Sequence, residues 1–125
     1  MVLTIPPGLY FVGDPCYAFA GESWSVMCSK MEAKGWPQCG KYHVDGRTVV
    51  VIMTTHGDGI YEDESGNEYS VDSGTLGAVQ LQSPVTRATM RHLRQCGRVV
   101  RFDAPETCYR RSGVITIGCY SIDTN

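Results

Sequence analysis

The chain has 125 residues, a formal net charge of −2 and 42% hydrophobic residues, a content typical of globular rather than disordered proteins. A folded chain of this length buries roughly 60–70% of its extended surface, so we expect one domain over residues 1–125 with its own core. No apolar run reaches about 18 residues, which excludes a transmembrane helix, and the first residues lack the basic and unbroken apolar segments of a signal peptide. We therefore predict a cytoplasmic protein with no membrane partner.

The cysteines indicate thiols rather than disulfides. An even number of cysteines is typical of disulfide-bonded secreted chains, but without a signal peptide we expect reduced, mostly buried side chains. None of them has Cys-x-x-Cys spacing or the spacing to histidine that zinc fingers use. The six are Cys16, Cys28, Cys39, Cys96, Cys108 and Cys119.

The first third of the chain predicts a strand and a helix. Gly8–Gly13 is an apolar run between glycines, typical of a buried strand, and the following Asp14-Pro15 should end it. Residues 21–35 carry apolar side chains at helical spacing between two glycines, which predicts an amphipathic helix packed on a sheet. The apolar face of this helix consists of Trp24, Met27, Cys28 and Met31.

Short strands dominate the middle of the chain. Residues 41–44 and 47–53 flank Asp45-Gly46, and this pair tolerates the positive φ values of a type I′ turn, so we predict a β-hairpin. Glycine-containing turns then separate three further strand candidates, and this spacing predicts a meander. The three candidates are residues 60–61, 68–71 and 76–81.

A second helix is predicted to begin with Ser83 as N-cap and Pro84 at its first position, and to end at Gly97. Its arginines fall on the face opposite the apolar Leu93. These arginines are Arg87, Arg91 and Arg94. The last strand candidates are residues 98–102, 107–110 and 114–122.

These elements define the fold class. About eight short strands and two helices, joined by short connections, favour antiparallel pairing. We therefore predict an α+β fold, in which a curved, mainly antiparallel sheet carries two short helices packed on it.

Charge divides along the chain. Residues 1–80 hold ten acidic and four basic side chains, a balance of −6, whereas residues 81–125 hold three acidic side chains and seven arginines, a balance of +4. Such a division is typical either of a basic binding face or of two surfaces that meet within one fold. The pI of about 5.8 argues against a bulk nucleic-acid partner.

The segment Val12-Gly-Asp-Pro-Cys-Tyr17 is the strongest candidate for a binding loop. Glycine, an acceptor carboxylate and a rigid proline make a defined loop at a strand end, where binding residues often lie. Asp14 and Tyr17 are therefore candidate ligand-binding residues. The alternative is that Asp14 only caps the turn.

This segment belongs to a longer pattern. The pattern comprises Gly8-x-Tyr10-x-Val12-Gly-Asp-Pro-Cys-Tyr17, Trp24, Gly57-Asp-Gly-x-Tyr61 and Val71-Asp-Ser-Gly74-x-x-Gly77. It resembles a group of small uncharacterised proteins encoded largely by phages and prophages. No activity is assigned to that group, so the resemblance identifies no functional residue. It implies a viral accessory protein, and one role of such a protein is to counteract a defence system in the host cytoplasm.

Acidic side chains near the ends of strands suggest a second kind of site. If those strand ends meet, oxygen ligands would hold Mg²⁺ or Mn²⁺, and His56 would serve as a nitrogen ligand or general base. This alternative predicts a metal-dependent phosphoester hydrolase. The metal set is Asp14, His56, Asp58, Asp72 and Asp123. The competing interpretation is that the acids only form turns between strands.

The arginines of the second helix predict an anion site. A guanidinium binds phosphate through two hydrogen bonds, so Arg87, Arg91 and Arg94 would hold a phosphate group while an aromatic side chain stacks on the ligand. The stacking candidates are Tyr10, Tyr17, Trp24 and Tyr61. The competing interpretation is a solvated helix face.

These observations favour a binding protein over an enzyme. Our leading hypothesis is a small viral accessory protein that binds and sequesters a phosphate-bearing, nucleotide-like molecule or a host defence protein, without cofactor or catalytic residues. The alternatives are the metal-dependent hydrolase and a virion or assembly component without a ligand. The sequence leaves homo-oligomerisation open.

Overall fold

The computed structural model describes all 125 residues and contains eleven strands, two α-helices and one 3-10 turn. The strands are β1 (Val2–Ile5), β2 (Gly8–Gly13), β3 (Cys39–Val44), β4 (Arg47–Met53), β5 (Gly59–Glu62), β6 (Glu68–Val71), β7 (Thr75–Gln80), β8 (Arg98–Phe102), β9 (Glu106–Arg111), β10 (Val114–Ile117) and β11 (Tyr120–Asp123). The helical elements are the 3-10 turn Pro15–Ala18, α1 (Glu22–Ala33) and α2 (Arg87–Cys96). Neither helix is long and apolar enough to cross a membrane.

The strands form three antiparallel sheets rather than one. A central sheet has the order β3-β4-β7-β2-β8, a second sheet has the order β1-β9-β10-β11, and β5 pairs with β6 alone. Every pairing is antiparallel, so the α+β class is confirmed. The predicted meander is wrong, because β7 pairs with β2 and β4 instead of with β6.

The central sheet is buried on both faces, which explains why strand β4 is apolar almost throughout. Because side chains alternate along a strand, Val50 and Ile52 pack against the second sheet, while Val49 and Val51 pack beneath α1. Met27 of α1 is fully buried against the latter pair. Burial of each such side chain contributes roughly 1.5–3 kcal/mol, so these contacts hold the layers together.

The predicted apolar face of α1 is confirmed at its centre. Met27 and Met31 are buried on the central sheet. Trp24 and Cys28 pack against the same cluster but remain half-buried. The outer edge of this face is therefore open to a cavity described below.

The hairpin of β3 and β4 is also confirmed. Asp45 (φ 53°) and Gly46 (φ 75°) both adopt positive φ, as a type I′ turn requires. Val44 pairs with Arg47 across the turn. The turn thereby places Arg47 at the first position of β4, where its side chain reaches the carbonyl of Ala18 in the 3-10 turn.

The predicted start of the second helix is wrong. Helix α2 begins at Arg87, with Thr86 as its N-cap, because the Thr86 hydroxyl accepts a hydrogen bond from the Thr89 amide at 3.1 Å. Ser83 and Pro84 lie before the helix. Ser83 and Thr86 are both suitable N-cap residues, and Thr86 is the one that caps the helix.

The strand predicted over residues 114–122 is in fact two strands. Gly118, with φ 59°, and Cys119 form a two-residue turn, after which Tyr120 pairs back with Ile117. The glycine was a usable signal for this turn. Together with β1, which the sequence did not indicate, this division raises the nine strand candidates to eleven strands.

Candidate functional site

Asp14 joins the loops that carry the sequence pattern. Its side chain is fully buried. Oδ1 accepts hydrogen bonds from the Cys16 amide (2.9 Å) and the Ser73 hydroxyl (2.6 Å), and Oδ2 accepts from the amides of Asp72 and Ser73, both at 2.7 Å. Asp14 thus caps the 3-10 turn and ties it to the β6–β7 loop. The turn cap is the observed role, and Asp14 positions the site instead of facing a ligand.

The 3-10 turn directs two neighbouring side chains to two different cavities. Cys16 lines one cavity and Tyr17 lines the other. The Tyr17 hydroxyl donates a hydrogen bond to Oδ2 of Asp72, and its ring meets His92 edge-on with centroids 6.1 Å apart. Burial and the neighbouring Asp72 carboxylate raise the pKa of Tyr17, so the phenol remains a donor at neutral pH.

The cavity beside Tyr17 lies between the 3-10 turn and α2, and we name it the arginine groove. Its volume is about 570 Å³. Its lining includes Tyr17, Phe19, Arg47, Val85, Thr89 and His92.

Arg47 supplies a cation to the arginine groove. Its guanidinium carbon lies 4.5 Å from the centre of the Phe19 ring, and Nη1 donates to the Ala18 carbonyl at 3.4 Å. Nε is buried without a hydrogen-bond partner. Burial lowers the pKa of Arg47, and Asp45 opposes that shift, but an arginine retains its charge at neutral pH. A cation held in a fixed position at the wall of a groove is suited to an anionic group.

The predicted arginine face of α2 is present. Arg87, Arg91 and Arg94 are all exposed, whereas Leu93 on the other side of the helix is buried. The three arginines surround a shallow depression of about 540 Å³. Val85 lines both this depression and the arginine groove, so the two cationic regions adjoin.

The cavity beside Cys16 is larger, about 670 Å³, and we name it the tryptophan cleft because both tryptophans of the chain line it. Trp24 packs beside Phe19 with ring centroids 6.1 Å apart. Trp36 is 48% exposed and has a φ of 54°, which is rare for a bulky residue, and its amide donates to the Met31 carbonyl at 3.0 Å. The polar side of the cleft includes Thr54, Asp72 and Ser73.

The predicted metal set is spread over several loops. No three His, Cys, Asp or Glu side chains lie close enough together to hold a metal ion. Hydrogen bonds occupy Asp14, as described above, and Asp123, which accepts from the amide and side chain of Asn125, both at 2.9 Å. His56 and Asp58 are exposed before β5. The set is Asp14, His56, Asp58, Asp72 and Asp123.

The four predicted stacking residues lie in different environments. Tyr10 is fully buried, its hydroxyl donates to the Pro6 carbonyl at 2.8 Å, and burial raises its pKa to about 12, so it is a core residue. The Tyr61 hydroxyl donates to the Gly57 carbonyl at 2.8 Å. Tyr17 lines the arginine groove and Trp24 lines the tryptophan cleft. The two rings that line a cavity therefore belong to different cavities.

All six cysteines are unpaired. Burial, followed by the negative charge of Asp14, raises the pKa of the Cys16 thiol. Burial also raises the pKa of Cys108 to about 12. Because the thiolate is the reactive form, Cys16 is a protonated and weakly nucleophilic part of the cleft wall.

Sequence reasoning missed Arg47 and Trp36. Arg47 is the one charged residue in strand β4. Because charged residues are rarely buried without a partner, a charge at the start of a buried strand indicates a candidate functional residue. Trp36 lies beyond the end of α1, where no periodicity indicates which way it faces.

Comparisons with protein-family models, with curated proteins and with solved structures gave no significant match. The function is therefore inferred from the chemistry of the two cavities.

Proposed function

We propose that the protein binds a phosphate-bearing small molecule with an aromatic ring, nucleotide-like in its chemistry, in the arginine groove. The main support is the Arg47 guanidinium, which lies on the Phe19 ring in a groove that also contains the rings of Tyr17 and His92. Phosphate oxygens accept paired hydrogen bonds from a guanidinium, and a flat base packs against aromatic side chains. The groove volume of about 570 Å³ falls within the range typical of small-molecule sites, roughly 300–1,000 Å³.

The arginine face of α2 extends the positive charge of the groove. Val85 lines both the groove and the depression that is formed by Arg87, Arg91 and Arg94. Clustered surface cations raise the local concentration of an anion and its rate of arrival. In this proposal Arg47 contacts the ligand, while the arginine face attracts it and holds any further phosphate groups.

Sequestration is the role that we assign to this binding. The groove offers charge and aromatic surface, which serve to hold a ligand. If the chain is the viral accessory protein that its sequence pattern predicts, its target would be a host signal molecule in the cytoplasm. Binding without turnover would remove such a signal from its receptor.

Titration calorimetry with cyclic and linear nucleotides tests the proposal. Arg47→Gln removes the charge, and we expect at least about a tenfold loss of affinity, because a hydrogen bond to a charged group contributes roughly 1.5–3 kcal/mol. Arg47→Lys keeps the charge without the paired donors and should give an intermediate affinity. Arg101→Gln is the matched control, because Arg101 is exposed on β8 and does not line the groove.

Chromatography of the recovered ligand separates binding from catalysis. Nucleotide recovered unchanged after tight binding supports sequestration. Product that forms with Mg²⁺ or Mn²⁺ and stops with a chelator favours the hydrolase and contradicts the proposal. If no nucleotide binds at millimolar concentration, the proposal is wrong and a host protein becomes the better candidate partner.

A further inference from the structure

The tryptophan cleft has the opposite electrostatic character to the arginine groove. Asp72 lies on its polar side, and none of its twelve lining residues is Lys, Arg or His. Asp58 does not line the cleft, but its Oδ1 lies 4.0 Å from the position that a Cβ on the cleft residue Gly74 would take. Asp72 is therefore the one charged residue among those that line the cleft, while Arg110 contacts its wall through a hydrogen bond from Nη1 to the Met53 carbonyl at 3.1 Å.

Asp72 is both accessible and oriented. The residue is exposed, yet its Oδ2 accepts from the Tyr17 hydroxyl and its amide donates to Asp14 at 2.7 Å. A neutral phenol orients the carboxylate without cancelling its charge. The Tyr17 hydroxyl thus fixes the position of the Asp72 carboxylate at the polar side of the cleft.

Aromatic rings and a carboxylate together select a cation. The face of an indole carries negative potential, and a cation placed over it gains roughly 0.5–2 kcal/mol. Trp24 and Trp36 provide two indoles, and Met31 and Met53 add polarizable apolar surface. A phosphate group would be repelled by Asp72. We propose that the tryptophan cleft binds a small organic cation, and that an alkylated ammonium group is the chemistry it fits.

This site is spatially distinct from the arginine groove. The two cavities share no lining residue and favour ligands of opposite charge. Loss of nucleotide binding would leave the cation site unaffected, and the reverse also holds.

Choline and its uncharged analogue 3,3-dimethylbutan-1-ol test the proposal, because they have nearly the same shape and differ in charge. The chain has two tryptophans and both line the cleft, so tryptophan fluorescence reports directly on it. We expect choline to change the fluorescence saturably and to bind at least about tenfold more tightly than the analogue. Equal affinities, or no saturable change with choline at tens of millimolar, would overturn the proposal.

Variants assign the charge effect to its source. Asp72→Asn removes the charge but still offers Tyr17 an acceptor, and we expect about a tenfold loss of choline affinity with little change for the analogue. Asp103→Asn, an exposed aspartate outside the cleft, is the matched control. A folded Asp72→Asn protein with unchanged choline affinity would overturn the proposal. If that variant fails to fold by circular dichroism, Asp58→Asn repeats the test and should give a smaller loss in the same direction.

Discussion

The arginine groove and the tryptophan cleft differ in charge far more than in size. Their volumes are about 570 and 670 Å³, and each has aromatic walls. Arg47 enters the first, whereas Asp72 borders the second, whose lining holds no cation. Cys16 and Tyr17, adjacent in the chain, line one cavity each. A single 3-10 turn therefore separates two environments suited to ligands of opposite charge.

Hydrogen bonds, and not an ion pair, stabilise the buried Asp14 carboxylate. A buried carboxylate needs compensation, and here four N–H and O–H donors provide it instead of an arginine. Arg47 does not contact Asp14, but rests on Phe19 and lines the groove. Asp14 supports both cavities without contributing a charge to the surface of either.

Replacement of Asp14 by alanine should disturb both cavities at once and have the largest effect. Each buried donor left without an acceptor costs roughly 1–3 kcal/mol, so the free energy of unfolding should fall by at least about 3 kcal/mol. Urea denaturation followed by tryptophan fluorescence measures this loss. Asp14→Asn keeps one acceptor oxygen and should fall between the wild type and Asp14→Ala.

The control for this comparison is Asp103→Ala, an exposed position where a change within about 0.5 kcal/mol is expected. If Asp14→Ala were as stable as the wild type, the 3-10 turn would not depend on Asp14. The groove and the cleft would then owe their separation to other contacts.

A second hydrogen-bonded carboxylate, Asp63, contributes to the pH dependence of the fold that carries both cavities. It accepts hydrogen bonds from the Tyr69 hydroxyl (2.7 Å) and from the amides of Ser65 (2.9 Å) and Asn67 (3.0 Å). Burial acts to raise the pKa of Asp63, but these hydrogen bonds outweigh burial and lower it. A folded-state pKa below the unfolded one stabilises the protein above roughly pH 4, and this stabilisation is lost as the pH falls through the folded pKa.

Urea midpoints measured from about pH 6 down to about pH 3 should therefore decrease on acidification. Asp63→Asn should be less stable at neutral pH and show a weaker decrease. Parallel curves for the two proteins would assign the pH dependence to other carboxylates. The ligand affinities of the groove and the cleft should therefore be compared only at pH values where the urea midpoint of the wild type does not change.

Local signals predicted the parts of the fold that depend on neighbouring residues. Asp45-Gly46 identified a hairpin, and the spacing of Met27 and Met31 identified the buried face of α1. The division into three sheets could not be predicted in this way. It depends on β2 pairing with both β7 and β8, strands that lie far along the chain and carry no local mark of their partner.

The candidate sites show the same limit. Helical spacing was sufficient to place Arg87, Arg91 and Arg94 on one face. It was not sufficient for Asp14, whose acceptor role depends on Asp72 and Ser73, 58 and 59 residues away. An aspartate in a Gly-Asp-Pro turn looks the same in sequence whether its carboxylate faces solvent or four buried donors.

Tyr17 belongs to both regions, because its ring lines the groove and its hydroxyl binds Asp72 beside the cleft. Tyr17→Phe removes only the hydroxyl, and it should have the smallest effect. This hydrogen bond is exposed, so we expect the free energy of unfolding to fall by about 1 kcal/mol or less.

Nucleotide affinity should change by less than about threefold since the ring remains, while choline affinity should fall a few-fold because Asp72 is less well oriented. The calorimetric and fluorescence titrations described above measure both. If nucleotide affinity fell as far as in Arg47→Gln, the hydroxyl itself would contact the ligand. Unchanged choline affinity would mean that only the charge of Asp72 matters, and the two regions would then be energetically independent despite sharing this residue.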